Sequence, residues 1–230
     1  MSRRRRRTLS LGNFLSLLQR QSTANMPPHR QETPMLALEC FSSLNAGVEH
    51  CRFGTLLGVF EGVEVRSCRL PPTLNALDMP PSYHDGIFTG IQWQCVELAR
   101  RYCLIHFDVV FDPVDMAYQM FESAVFRNVH TLRPVSAARF SNGATTPPKK
   151  GSLLIWNCSG EYKITGHVAV VVAVTDTHVD IVEQNVIHSV WESGQQYSRR
   201  LALSTADDGS YTIQPFYPDE ELLGWITLAH

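Results

Sequence analysis

Cys95 and His167 are the two residues of this chain whose types and settings would let them act together, as nucleophile and base. Cys95 opens a segment of helical periodicity, and a thiol in the first turn of a helix faces unpaired backbone N–H groups and the positive end of the helix dipole, both of which favour the thiolate. A lone cysteine is more often a small buried hydrophobe, so the case depends on a partner. Thiolate attack on an amide needs an adjacent imidazole, held in one tautomer, that takes up a proton and later gives one to the leaving amine. His167 follows Thr165 and Gly166 and opens a run of alanine and valine. That sets a polar ring at the mouth of a buried strand, a place a structural histidine also occupies.

The carboxylate best placed to orient such an imidazole is Glu183. If the apolar strand turns back near Asp176, residues 179–184 lie antiparallel beside it, and directly opposed side chains share a face. A two-residue loop of Asp176 and Thr177 pairs Glu183 with Val170, on the wrong face. A three-residue loop over 175–177 pairs it with Ala169, diagonal to His167, so the site requires the longer loop. Gln94 could donate a side-chain N–H to an oxyanion together with the backbone of Cys95, or could serve as ordinary capping. Arg100 and Arg101 follow on the same helix, and an arginine fork can grip a carboxylate bidentately, although a surface role is the commoner one for an arginine.

The elements that must position these residues form an α+β pattern, with helices first and an antiparallel run of strands after them. Glycines punctuate a strand and turn over residues 53–66, and residues 71–85 read as loop. Residues 93–107 show helical spacing, with Cys95, Leu98, Ala99, Tyr102 and Cys103 on one stripe. A second helix is predicted over 115–127 and a connection over 140–150. Strands follow at 152–157, 167–175, 179–184, 196–203 and 211–216, with a last short one at 224–228.

Hydrophobic residues make up 44% and charged residues 18% of the 230, the composition of one globular domain with a filled core and not of a disordered chain. Seven of the 20 basic residues precede Glu32, the first acidic residue, which leaves 13 basic against 22 acidic residues in the remainder. An acidic body suits small cationic partners better than phosphate backbones, so no nucleic acid is expected. Residues 1–34, with arginine at every position from 3 to 7, are predicted to be an appendage, and residues 35–230 the domain. No run approaches the roughly 20 apolar residues that cross a bilayer, so no membrane is expected. Cys40, Cys51, Cys68, Cys95, Cys103 and Cys158 lack CxxC spacing, and no secretory signal precedes them, which predicts an intracellular, cytoplasmic protein. Mitochondrial import through the Arg-rich segment is the alternative. Cys103 and His106 form an isolated pair, so neither a metal nor a cofactor is expected.

Three segments carry a resemblance. Gly90-Ile-Gln-Trp-Gln-Cys-Val-Glu-Leu-Ala-Arg-Arg, Gly166-His-Val-Ala and Val182-Glu-Gln-Asn-Val-Ile-His resemble the amidase domains of the glutathionylspermidine synthetase/amidase and trypanothione synthetase family. These are CHAP domains, papain-like amidohydrolases and peptidases that depend on cysteine and histidine. The resemblance runs from about residue 53 to Leu223-Gly-Trp and implies hydrolysis of the amide between the glycine carboxylate of glutathione and a polyamine such as spermidine, with trypanothione as a related substrate. It implies Cys95 as nucleophile, His167 as base and then acid, and Glu183 as orienting group. Contacts to glutathione would fall on Gln94, Arg100, Val114, Asp115, Met116, Ala117 and Asn185. Asp115 stands where the family pattern has glycine and brings an added carboxylate that bears on the preferred conjugate. No ATP-grasp half is recognisable, so ATP-dependent ligation is not expected. The competing readings are a CHAP amidase on another linear amide or peptide, and a non-catalytic binder of glutathione-polyamine conjugates.

Overall fold

A computed structural model of the chain describes residues 51–71 and 79–229. The expectations for residues 1–34, including mitochondrial import, lie outside the described residues. Two hairpins come first. β1 (Leu56–Phe60) and β2 (Val63–Arg66) are joined by Glu61 and Gly62, and β3 (Pro81–His84) and β4 (Ile87–Ile91) by Asp85 and Gly86. All four turn residues have φ between 46° and 83°, the two-residue geometry whose twist matches that of the flanking strands.

The chain then enters α1 (Cys95–Phe107), which ends at Asp108 in the left-handed conformation. This helix is wedged between the hairpins and a large sheet, so most of its circumference is buried, from Cys95 to Leu104. Its apolar stripe of Leu98, Ala99, Tyr102 and Cys103 packs against Leu153, Ile155, Val168, Val170 and Val172 in one core cluster. A helix buried nearly all round must pair any charge it carries. Glu97 and Arg101, one turn apart and both buried, do so at 2.7 Å.

Beyond α1 come β5 (Val109–Phe111), a 3-10 turn (Ala117–Gln119), α2 (Met120–Ser123), β6 (Phe126–Asn128), β7 (Pro134–Val135) and β8 (Ala137–Ser141). Then follow β9 (Leu153–Trp156), a 3-10 turn (Gly160–Tyr162), β10 (His167–Val174), β11 (His178–Val182), β12 (Arg199–Thr205), β13 (Tyr211–Ile213) and β14 (Leu222–Leu228). Seven of these strands form one sheet in the order β13-β12-β11-β10-β9-β14-β8, with every pair antiparallel. The second face of that sheet buries Leu154, Trp156, Val171, Ile181, Leu201, Leu203 and Trp225 beneath Tyr162. Among the described residues no helix is long and apolar enough to cross a membrane.

The α+β class holds in its coarse form, but the picture of helices first does not, because among the described residues four strands precede α1. The loop expected over 71–85 yields β3, whose Asp85-Gly86 turn is itself a hairpin signal. The second helix expected over 115–127 is cut to two short turns. Val125 and Phe126 leave helical geometry so that Phe126 can pair with Phe111 and Val135, a case of sheet pairing overriding local propensity. The connection expected over 140–150 begins inside β8, and the terminal strand is interior, between β9 and β8.

Candidate active site

Gln94 is extended (ψ 162°) and Cys95 is the first helical residue, so the chain turns sharply at the sulfur. Several hydrogen bonds fix this corner. The Gln94 N–H donates to the Ile91 carbonyl at 3.0 Å, and the Gln94 carbonyl accepts from Leu98 N–H at 3.1 Å and from the Gln184 side chain at 3.2 Å. Cys95 is buried. Burial by itself would push its thiol up, but the charge and hydrogen bond of His167, with the backbone N–H groups of Val168 and Val96, outweigh it and lower the thiol below its usual range. Cys103, two turns further along the same helix, is pushed up to about 12 by burial, which the charge of Arg100 offsets only in part.

His167 opens β10, and its approach to α1 depends on the residue before it. A Cβ on Gly166 (φ +64°) would lie 2.5 Å from the Trp156 carbonyl oxygen and 2.7 Å from Tyr118 Cβ. Only glycine lets the strand enter between those groups. The imidazole Nε2 sits 2.9 Å from Glu183 Oε2, which leaves Nδ1 for the Cys95 thiol. Burial would lower the imidazole, yet the sulfur and the carboxylate raise it to about 9, the signature of an imidazolium held between two anions.

The hairpin that supplies Glu183 solves the register in an unforeseen way. Val174 pairs with Val179, and Thr175 N–H donates to the His178 carbonyl, so the loop is the two-residue one of Asp176 and Thr177. A register shift between Val171 and Ala173 then moves the pairing by one residue, giving Val171 with Ile181 and Val170 with Val182. The bulge cancels the parity of the turn, and Glu183 emerges on the His167 side. The expectation of a three-residue loop is thus corrected, while the approach of Glu183 to His167 is present.

Glu183 is buried, and burial would raise its carboxyl. Arg199 and His167 instead hold it down at about 2. Arg199, also buried, donates through Nε to Glu183 Oε1, and through one terminal nitrogen to Glu183 Oε2 and to Tyr162 Oη, both at 2.8 Å. Tyr162 stacks on the imidazole with centroids 4.7 Å apart and planes at 12°. Neither Arg199 nor Tyr162 was singled out from the sequence. A signal for the arginine exists: it shares strand parity with the inward-facing Leu201 and Leu203, whereas Arg200 does not.

A cleft of about 420 Å³ opens over the sulfur. Cys95, His167, Gln94, Arg100 and Asn185 line it, as does the loop of Val114, Asp115, Met116 and Ala117, and Glu183 alone of the expected site residues stands behind it. Arg100 lies between the rings of Phe88 and Phe111, at 5.6 and 5.8 Å. Among the described residues its Nε has no hydrogen-bond partner, and burial lowers its guanidinium to about 10 despite the charge of Asp112. Asn185, in the left-handed region, donates to Gln94 Oε1 at 2.9 Å, while Gln94 Nε2 donates to Cys68 Sγ at 2.9 Å. At the cleft floor, Glu97 accepts from Ser82, Thr89, Arg101 and Gln184, and Gln184 accepts from Arg66 N–H, tying α1 to β2, β3, β4 and the segment after β11. Among the described residues no three His, Cys, Asp or Glu side chains are grouped to hold a metal ion.

Residues 86–185 match the family model of the CHAP domain. The chain is 40% identical over 179 residues, 76% of its length, to the bifunctional glutathionylspermidine synthetase/amidase of Escherichia coli, covering 29% of that protein. It is 32% identical over 148 residues, 64% of its length, to the trypanothione synthetase of Crithidia fasciculata, covering 22% of it. To the glutathionylspermidine synthase of the same organism it is 32% identical over 141 residues, 60% of its length and 19% of that protein. The chain therefore spans less than a third of each of these relatives. Cys95, His167 and Glu183 all fall within the residues that match the CHAP-domain model.

Proposed function

We propose that this protein is a cysteine amidase that cleaves the amide between the glycine carboxylate of glutathione and a polyamine, releasing glutathione and an amine such as spermidine. The observation that carries the reading is the buried line of thiol, imidazole and carboxylate opening into a cleft beside an arginine whose Nε lacks a partner. The Cys95 thiolate attacks the amide carbonyl, the His167 imidazolium gives its proton to the departing nitrogen, and the C–N bond breaks to leave a thioester. Water, deprotonated by His167, then attacks the thioester and frees the thiolate and the glutathione carboxylate. Glu183 keeps Nε2 protonated throughout, which fixes Nδ1 toward the sulfur.

The negative charge of the tetrahedral oxygen is met by the backbone N–H of Cys95 and the side chain of Gln94. The latter donates to sulfur, a weak acceptor, so turning it toward an oxyanion gives up little. Arg100 grips a glutathione carboxylate, and Asn185 and the loop of Val114, Asp115, Met116 and Ala117 form the opposite contacts. Asp115, exposed at the cleft, faces the ammonium groups of the polyamine. The names of two relatives, glutathionylspermidine synthetase/amidase and trypanothione synthetase, support conjugates of this class. We place the activity in the cytoplasm, where a nucleophilic thiol stays reduced.

The test is incubation with glutathionylspermidine, following free glutathione and free spermidine, with Cys95→Ala as the blank. Equimolar release in the wild type and none in the variant is the expected result. A wild-type protein that binds the conjugate and returns it intact would leave only the binding reading.

A further inference from the structure

We propose that Arg199 is a positioning residue of the site, acting through Glu183 and Tyr162 to keep the carboxylate charged and the His167 ring in one plane. The inference rests on the reading of Cys95 and His167 as the reacting pair. Its basis is that Arg199 reaches both groups that flank the imidazole. Its Nε and one terminal nitrogen take the two oxygens of Glu183, and that same terminal nitrogen holds the hydroxyl of Tyr162, whose ring lies flat on His167. Glu183 Oε2 therefore accepts from Arg199 and His167 at once.

The environment of the arginine is closed. Phe216 and Tyr217 cover the guanidinium at 4.9 and 5.1 Å, and Trp156 lies beneath it at 5.9 Å. The titratable groups facing this cluster are His167 on β10, Glu183 after β11, Tyr162 from the 3-10 turn, and Tyr217 and Glu220 from the segment between β13 and β14. Cys95 lies beyond His167, and Glu161 acts on Tyr217. Arg199 is the cation at the centre of this set. A purely stabilising role is a weak account of it, because replacing a buried ion pair by apolar side chains is often neutral. What an apolar replacement would lose is the charge on Glu183: a carboxylate buried here without Arg199 would take a proton and stop holding the imidazolium.

The experiment is the pH dependence of Cys95 alkylation by iodoacetamide, read by mass mapping of the full chain. In Arg199→Met the acid limb moves up by about one pH unit or more, the size expected when a carboxylate loses its cationic neighbour. Glu183→Gln moves it the same way, and the double variant moves it no further than Glu183→Gln alone, since the charge of Arg199 reaches the imidazolium through the Glu183 carboxylate while its hold on Tyr162 sets only the plane of the ring. If Arg199→Met yields no folded protein, Arg199→Lys carries the test, because a point charge without the fork gives a smaller upward shift. A wild-type acid limb in whichever folded arginine variant is measured, or full additivity in the double variant, overturns the proposal. Failure of the wild type to hydrolyse glutathionylspermidine would sink the proposed function and leave this result standing, since alkylation needs no substrate.

Discussion

Two carboxylate-arginine pairs lie near the start of α1, and they are built alike up to one point. Glu97 with Arg101 and Glu183 with Arg199 are both buried, both use two nitrogens of the guanidinium, and both connect separate elements. In the first, every further neighbour of the carboxylate is a neutral donor from the framework: Ser82, Thr89 and Gln184. In the second, the further neighbour is His167, which passes the charge on to a thiol at the cleft. Structure and chemistry here differ by one titratable group inserted between the ion pair and the cleft.

The largest expected effect comes from removing the end of the second chain. Cys95→Ala should lower turnover of glutathionylspermidine by about 10⁴-fold or more while leaving the urea midpoint nearly in place. A comparable loss of stability would show that both pairs serve the fold. Next is Glu97→Gln, which leaves Arg101 uncompensated and should destabilise the protein by about 3–5 kcal/mol in urea unfolding. Cys95 in the folded fraction should still be the thiol alkylated first. If Glu97→Gln instead abolished alkylation of a folded protein, the division between the two pairs would collapse.

Arg100 sharpens the contrast because it is a buried arginine with no carboxylate hydrogen-bonded to it among the described residues. Arg100→Ala should lower kcat/KM by roughly 10- to 150-fold, the worth of a charge-assisted contact of about 1.5–3 kcal/mol, with lysine restoring only part of it. The rate of Cys95 alkylation should stay near that of the wild type. Loss of both together would make Arg100 a support of the helix and not a grip on substrate.

The smallest effect is in the pH profile. His167 is raised to about 9, so the imidazolium proposed to protonate the leaving amine is present below that value and lost as pH rises through it. Turnover should therefore fall on the alkaline side of about pH 9, whereas alkylation, which needs only thiolate, should not. Parallel decline of both would argue that the alkaline limb reports unfolding.

Much of the thiol side of the site was legible in the sequence because α1 is a strongly periodic helix, and its first turn is where a cysteine becomes acidic. The histidine and Glu183 were legible as strand residues. The turn and bulge that bring them together were not, since nothing in a run of valines marks which one is inserted. The second helix failed because residues 125 and 126 answer to partners on β5 and β7, contacts that a local window does not contain. Arg199 was missed for the opposite reason. Two adjacent arginines carry no local mark of which one is buried, and only parity with Leu201 and Leu203 separates Arg199 from Arg200.

The bulge in β10 also sets what lengths the hairpin tolerates. Because it offsets the turn by one residue, the loop at Asp176 and Thr177 and the extra residue near Val172 are a matched pair that can change only together. Inserting one residue at the tip while deleting one at the bulge would return Glu183 to the same address, whereas either edit alone would point it away from His167. To anyone grafting a new loop here, the hairpin behaves as a combination lock with two dials: many settings open it, but turning one dial obliges a turn of the other.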